Sequence, residues 1–555
     1  MLSPRTFKIA VAAITLMTGL ILLWQVSGPW LGFYDANDGA FYSAIAGNYL
    51  RYGVWKLRFG QAVNFAPVSN LTELKFYQHH PPLLPLSVAL SFALFGEREA
   101  SARLVPIAFT LGNVLLIALL ARKLHGYRSA VIAGFIFATL PAVLYFGRKL
   151  GYEPLTLFFV LLTVWSYIRF LEKRSRPRLC ALFFTVGAGL LSDWVAYFLI
   201  PPISVHCWRS RGEPASFRKS LSCGLPVFAV AVFAAFELQS YLVDPSSLKD
   251  LIGQGLVYAG VMPADSEWAA QYHEARARFS AIEFLSAVGE RLDLLFAYPT
   301  ILFSMVGVWV ASKEDGLKRW VPFALLFIAL LYCVLFFRST YICMWWTYYL
   351  SAPLALLGAL GAEALFVRHG ESEDNCGPRL QWNRAGLLFL VMLILVGSAV
   401  RLNSLHGKKI KLLPGHYQEK ASFIKEVAKQ INILTSAEDR ILTNLPWYGT
   451  LFLLPYYGQR EVVCELSSSS VVEQWIGNNR TRTSYFLFWR PPEDTCPADP
   501  LYEWLSSRSL GCSELTIDQT RFWLFKLRNP RNPRRSRSPS RLDSTPLTSI
   551  PFAAP

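Results

Sequence analysis

Long apolar runs separated by short clusters of Lys and Arg set the pattern of this chain. Two of the clearest are 9–28 (IAVAAITLMTGLILLWQVSG) and 385–400 (AGLLFLVMLILVGSAV). A helix of about 20 apolar residues crosses a hydrocarbon layer ~30 Å thick. Such runs recur near 8–28, 103–121, 128–147, 154–171, 179–193, 195–208, 221–241, 297–312, 320–337, 346–366 and 385–402. The pattern therefore predicts a polytopic α-helical membrane protein with about 11 transmembrane helices. No small-residue cleavage site follows the first run and many spans come after it, so it reads as an uncleaved anchor. The run 82–95 (PLLPLSVALSFALF) is short for a span and fits a helix lying along the outer interface.

The polar breaks between runs set the orientation. If 82–95 does not cross, the basic loops 122–128, 169–178, 209–219 and 313–319 share one side with the N-terminus. If it crosses, all four flip outward. Cytoplasmic loops carry the excess of Lys and Arg, so the first arrangement is favoured, with the N-terminus inside and the C-terminus outside. Residues 29–102, the loop 242–296 and everything after 403 then face outward.

Beyond 403 the pattern changes. Residues 416–432 place Phe423, Ile424, Val427 and Ile431 on one side of a helix. Short strand candidates follow at 440–443, 460–464, 484–489 and 521–527, punctuated by Pro, Gly, Ser and Asn. The chain thus divides into a transmembrane domain over 1–403 with an outer first loop at 29–102, a small outer-face α/β domain over 404–527, and a basic Ser/Pro tail over 528–555. The tail's composition cannot bury a core, so disorder is expected there.

Composition agrees with the hydropathy. Of 555 residues 53% are hydrophobic and only 17% charged, against roughly a quarter charged in a soluble protein. The net charge of +16 would suggest nucleic acid in a soluble chain. Here the cations sit in loops between apolar runs, where anionic lipid accounts for them, and no nucleic-acid partner is expected. The cysteines show no metal-ligand spacing, although Cys464, Cys496 and Cys512 could supply one disulfide with a thiol left over. Sequons at Asn70 and Asn479 fall on the outer side and would matter only in a eukaryotic secretory membrane. The chain lacks an ER retrieval signal, which points to a bacterial inner membrane with a periplasmic C-terminus.

Four polar clusters converge on the outer side. The first loop carries Asp35 and Asp38 just after the first span, either as helix caps or as a base and its partner. His79 and His80 precede Pro81-Pro82 and could bind a phosphate or a divalent metal, or simply mark a helix start. Arg148, Lys149 and Glu153 lie at the outer end of a span, where charges also mark the interface. Asp193 is a lone acid inside an apolar hairpin, a costly position that is a functional candidate by default. The aromatic segment 341–349 (YICMWWTYY) could stack on a sugar or line a lipid groove, or could belong to the interface belt.

These residues resemble a known family. The run Asp38-x-x-x-Tyr42-x-x-Ile45-Ala46, then His80-Pro81-Pro82-Leu83, Leu94-Phe95-Gly96 and Ala102-Arg103-Leu104, is similar to the polytopic C-type (GT-C) glycosyltransferases. Those include the protein O-mannosyltransferases and the lipid A aminoarabinose transferases. The likeness is good over roughly residues 8–240 and continues only as hydropathy beyond. It implies a polyprenyl-phosphate sugar donor and inverting transfer to a lipid, glycan or protein hydroxyl on the outer leaflet. It also implies that Asp38 is the catalytic base, with His79, His80, Arg148 and Lys149 at the donor phosphate. Two departures stand out. Many members have Glu where this chain has Gly39, which leaves Asp35 as a substitute. Many have Lys where it has His80, which leaves a divalent metal, completed by Glu153, as an alternative to a phosphate clamp. A transporter or lipid flippase is the rival from another class. It should show related halves or paired broken helices, and the chain has no visible internal repeat. A membrane-anchored scaffold would leave the first-loop acids without a role.

Overall fold

The computed structural model describes residues 3–30, 32–210, 215–262, 279–366, 379–407, 421–436, 438–445, 453–464, 466, 468–478, 484–489, 499–517 and 520–527. The expected tail over 528–555, Cys496 and Asn479 lie outside these. The first half is built from α1 (Pro4–Leu23), α2 (Gly32–Tyr52), α3 (Leu83–Phe95), α4 (Glu99–His125), α5 (Tyr127–Thr139), α6 (Pro141–Phe146), α7 (Tyr152–Glu172), α8 (Arg176–Leu190), α9 (Ile200–Arg209) and α10 (Ala215–Val243). It continues through α11 (Ser247–Tyr258), α12 (Ala281–Phe296), α13 (Tyr298–Ser312), α14 (Gly316–Leu335), α15 (Phe337–Ile342), α16 (Ser351–Phe366), α17 (Arg379–Gly407) and α18 (Ala421–Leu434).

Among the described residues six helices are long and apolar enough to span a bilayer: α1, α4, α7, residues 218–243 of α10, α14, and 344–366 ending in α16. The pair α12–α13, bent by 98°, makes a seventh if it is one broken span. The protein is therefore a multi-pass membrane protein. The other expected runs are shorter or broken helices among the described residues: α8 and α13 have 15 residues each, and the apolar part of α17 counted there is Val391–Leu405. Leu140 is non-helical and Pro141 begins α6, so 128–147 is broken in two. Residues 194–199 form a 3-10 segment before Pro201 starts α9, so 195–208 is not one helix either. Residues 83–95 do form a short apolar helix, α3, closed by Gly96 at φ +84°.

The chain divides into two compact units, one of Met1–Ser27, Val54–Gln61 and Tyr77–Lys408, the other of Gly28–Gly53, Ala62–Phe76 and Lys409–Pro555. In the first, α4, α5, α7 and α16 share one apolar core with Ile117, Phe137, Leu161 and Leu356 at its centre. Packing between α13 and α16 is close enough to need glycine. A Cβ on Gly307 would run into the Leu357 carbonyl, and one on Gly361 into the Phe303 carbonyl. Small residues let membrane helices approach in this way.

The second unit holds a five-stranded sheet in the order β2-β1-β3-β5-β4. Its strands are β1 (Arg440–Thr443), β2 (Glu461–Val463), β3 (Ser484–Trp489), β4 (Ser509–Ile517) and β5 (Thr520–Leu527). β1 runs parallel to β2 and β3, and β5 is antiparallel to β3 and β4. Leu442, Phe486, Phe488 and Phe525 fill its core with Leu501 and Leu505 of the helix Pro500–Arg508. β4 was not among the expected strands, because SLGCSELTI has neither a β-branched run nor clear alternation. Pairing with β5 along nearly its whole length makes it a strand.

Candidate functional site

The peptide between Tyr77 and Pro82 is fixed by its backbone. The Tyr77 N–H donates to the Gln61 carbonyl at 2.9 Å. Gln61 Nε2 donates to the His80 carbonyl, and Trp194 Nε1 donates to the His79 carbonyl at 3.0 Å. Pro81 and Pro82 then restrict the chain as it enters α3. Both imidazoles are held on a backbone with little freedom.

Asp193 is the hub of this region. It stands just before the 3-10 segment Trp194–Leu199, and its Oδ1 accepts from the Trp194 N–H at 2.7 Å. The same oxygen lies 3.1 Å from His80 Nδ1, and Oδ2 accepts from the Tyr349 hydroxyl at 3.0 Å. Nδ1 faces the carboxylate, which leaves Nε2 as the imidazole's second working atom. The His80 ring also stacks on Tyr152, with centroids 4.6 Å apart and planes at 22°. Asp193 is 3% exposed, and a carboxylate so buried needs several donors to remain charged.

His79 differs from its neighbour. Burial, with a smaller contribution from His80, pushes its pKa down to about 3. It is neutral near pH 7 and offers a hydrogen bond rather than a charge. Its Nδ1 has no hydrogen-bond partner among the described residues.

Glu153 lies in the first turn of α7, where a negative charge complements the helix dipole. Its carboxylate folds back over Gly151, so a Cβ there would collide with Oε2. Glu153 directly follows Tyr152, the ring that stacks on His80, which places its backbone beside the same cluster. In the turn before α7, Arg148 donates to the Trp24 carbonyl at 2.8 Å. Lys149 Nζ lies 3.6 Å from the centroid of the Tyr145 ring. Arg103 is fully buried in α4 and donates to the Val26 carbonyl at 2.9 Å, tying α4 to the chain after α1.

Asp38 belongs to the other unit. It is half-buried in the second turn of α2. The helix starts at Gly32, so Asp38 does not cap it. Asp35 is also in α2, but its side chain lies outside the described residues. α2 is anchored by Asn48, whose Nδ2 donates to the carbonyls of Ala62 at 2.9 Å and Asn64 at 2.7 Å. Gly39 faces the buried Trp30 ring so closely that any Cβ would overlap it. Trp30 thus occupies the space a side chain at 39 would need.

The structure brings together His79, His80, Glu153 and Asp193, which the sequence offered as separate candidates. Sequence reading singled out neither Tyr349 nor Gln61. Tyr349 was visible only as one ring in an aromatic run, with nothing to mark it as the partner of an acid 156 positions away. Among the described residues no group of three or more His, Cys, Asp or Glu is placed to hold a metal ion. His80 and Asp193 do not by themselves make such a site.

The comparisons with known proteins point the same way. Residues 79–236, which contain the cluster except Tyr349, match the family of dolichyl-phosphate-mannose-protein mannosyltransferases. A curated relative, "Putative mannosyltransferase YkcB" of Bacillus subtilis (strain 168), is 30% identical over 176 residues, which are 31% of this chain and 24% of that protein. The chain therefore spans about a quarter of that relative's length. Among solved structures, ArnT from Cupriavidus metallidurans bound to undecaprenyl phosphate superposes with a TM-score of 0.62 at 13% identity. The match covers 96% of this chain and all of that one. The chain shares the fold of ArnT. A second protein of this fold is the archaeal oligosaccharyltransferase AglB from Archaeoglobus fulgidus, solved with an inhibitory peptide and a dolichol-phosphate. It matches with a TM-score of 0.55 at 13% identity, over 94% of this chain and 75% of AglB.

Proposed function

We propose that this protein is an inverting glycosyltransferase that moves a sugar from a polyprenyl-phosphate donor to a hydroxyl of a lipid, glycan or protein at the outer membrane face. One observation carries the reading: nearly the whole chain matches the fold of ArnT, a protein captured with undecaprenyl phosphate. The family match over 79–236 adds a lipid-phosphate sugar as the donor class.

The chemistry assigns roles. An acceptor hydroxyl attacking an anomeric carbon must give up its proton, and a carboxylate within reach serves as the base. Asp38 takes this role by its match to the family's first-loop acid, and its partial exposure within α2 supports the assignment. The transition state carries oxocarbenium character while the departing lipid phosphate gains negative charge. His80, oriented by Asp193 and Tyr152, supplies a hydrogen-bond donor to that phosphate when protonated at Nε2. Arg148 and Lys149 supply positive charge at headgroup level. Neutral His79 adds a hydrogen bond.

The test is transfer from radiolabelled polyprenyl-phosphate sugars, hexose and pentose, in membranes holding wild type or Asp38→Asn. Transfer by wild type that vanishes in the variant at equal protein level supports the reading. Transfer that persists removes Asp38 from the mechanism. No transfer by wild type from any donor overturns the enzyme reading and makes lipid transport the activity to assay.

A further inference from the structure

The outer half of α10 carries polar groups that the proposed reaction does not use. Phe233, Phe236, Glu237 and Ser240 recur at helical spacing and so share one face. The neighbour of that face is the 3-10 segment 194–199. The Trp194 ring lies 6.0 Å from Phe233 and 5.9 Å from Phe236, and Tyr197 lies 6.1 Å from Phe233, centroid to centroid. Glu237 is 9% exposed and Ser240 fully buried, and Glu237 lies one turn beyond Phe233, the ring that packs on Tyr197. Glu237 Oε1, Ser240 Oγ and the Tyr197 hydroxyl have no hydrogen-bond partner among the described residues. Nearby, on the peptide that Trp194 holds, both polar atoms of the buried Gln78 side chain also lack one.

Such a grouping is costly. A buried polar atom left without a partner loses the hydrogen bond it had in water and gains none, and an acid within a spanning helix is a functional candidate by default. A fold that keeps an unpartnered carboxylate and two unpartnered hydroxyls on elements packed around a tryptophan has a surface that a polar ligand completes. The donor set narrows the ligand. A carboxylate accepts from hydroxyls, while Ser and Tyr hydroxyls both donate and accept. A ring bearing adjacent hydroxyls satisfies all of these at once, and an aromatic wall suits the apolar face of such a ring. A metal ion would want more acidic or imidazole ligands than this face has.

We infer that Glu237, Ser240 and Tyr197 form a subsite for the hydroxyl groups of a sugar ring, joined to the His80–Asp193 cluster through Trp194. This rests on the glycosyltransferase reading for its biological setting. The sugar could be the one carried by the donor or one already on the acceptor.

The test uses the full-length purified protein in detergent. Binding is measured for polyprenyl phosphate alone, for its hexose- and pentose-bearing forms, and for free methyl glycosides, in wild type, Glu237→Gln, Glu237→Leu and Tyr197→Phe. The subsite predicts that the sugar-bearing lipid binds wild type more tightly than the bare lipid does, and that Glu237→Gln lowers its affinity about tenfold. The bare lipid should bind all forms alike. Without ligand, Glu237→Leu should melt at or above the wild-type temperature, since an isosteric apolar replacement relieves an unpartnered polar group; a structural acid would lose stability instead. An effect confined to methyl glycosides supports the subsite and assigns it to the acceptor's sugar. If neither sugar arm responds to any variant, or if Glu237→Leu is strongly destabilised, the inference is overturned. Bare lipid that fails to bind wild type overturns the donor reading separately, and the glycoside arm then decides the subsite on its own.

Discussion

Asp193 and Asp38 are both acids that the sequence offered as candidates, and the structure treats them in opposite ways. Asp193 is almost fully buried, and its two oxygens meet a backbone N–H, an imidazole and a phenol. It is at once a cap for the following segment and the orienting partner of His80. Asp38 is half-exposed within α2, where an aspartate side chain is a poor helix former and, away from the first turn's end, caps nothing. A carboxylate whose valences are filled by its own fold is suited to hold other groups in place. A partly exposed carboxylate is one that a substrate hydroxyl can reach. The two acids therefore separate into a positioning residue and a proposed base, and each substitution below can break that division.

The largest effect belongs to Asp38→Asn. Losing a general base costs about 10²–10⁴-fold in rate, so transfer should fall by that much while the melting temperature stays close to wild type. Asp193→Asn should cost less in rate, roughly 10–100-fold, but should also cost stability. The amide cannot accept from every donor that now faces it, and each buried group left without a partner forfeits on the order of 1–3 kcal/mol. Thermal unfolding beside initial rates reads both. If Asp193→Asn were as stable as wild type and as inactive as Asp38→Asn, the division would collapse.

Gly39 sharpens the same comparison from the side of α2. The family that the sequence resembles often has Glu at this position, yet here the Trp30 ring fills the space. Gly39→Glu should therefore destabilise by about 1–3 kcal/mol through overpacking. Trp30→Ala in the same chain should recover part of the loss, giving a coupling energy in a double-mutant cycle. Additive losses would mean that the ring and the position are independent.

How much of this was legible follows from the kind of signal each feature leaves. Apolar runs mark membrane helices directly, but not where a run breaks, because Pro141 and Pro201 look the same in a kinked span as at a helix start. The acids and histidines were legible as residue types in a topology. Their joining was not, since His80, Asp193 and Tyr349 meet only through folding across hundreds of positions. Gly39 looked like a missing acid, and only the buried Trp30 shows why nothing larger fits. Glu237 sits in an apolar run whose average conceals one carboxylate. β4 has no strand signature of its own and exists through its partner β5.

The smallest effect tests whether burial keeps His79 neutral. His79 has its pKa held near 3 by burial, against about 6.5 in an unfolded chain. Between those values the unfolded state binds a proton that the folded state does not. Its contribution to stability is therefore complete above about pH 6.5 and is lost as pH falls towards 3, with a slope of up to about 1.4 kcal/mol per unit. Carboxylates begin to titrate below about pH 5, so the clean window is pH 5 to 6.5. Melting curves of wild type and His79→Gln across that window should converge as pH falls, because glutamine has no proton to gain. Parallel curves would mean that His79 protonates in place as easily as it does in solvent. Its burial would then contribute nothing to keeping the ring neutral, and it would have to be counted among the charges available to a phosphate.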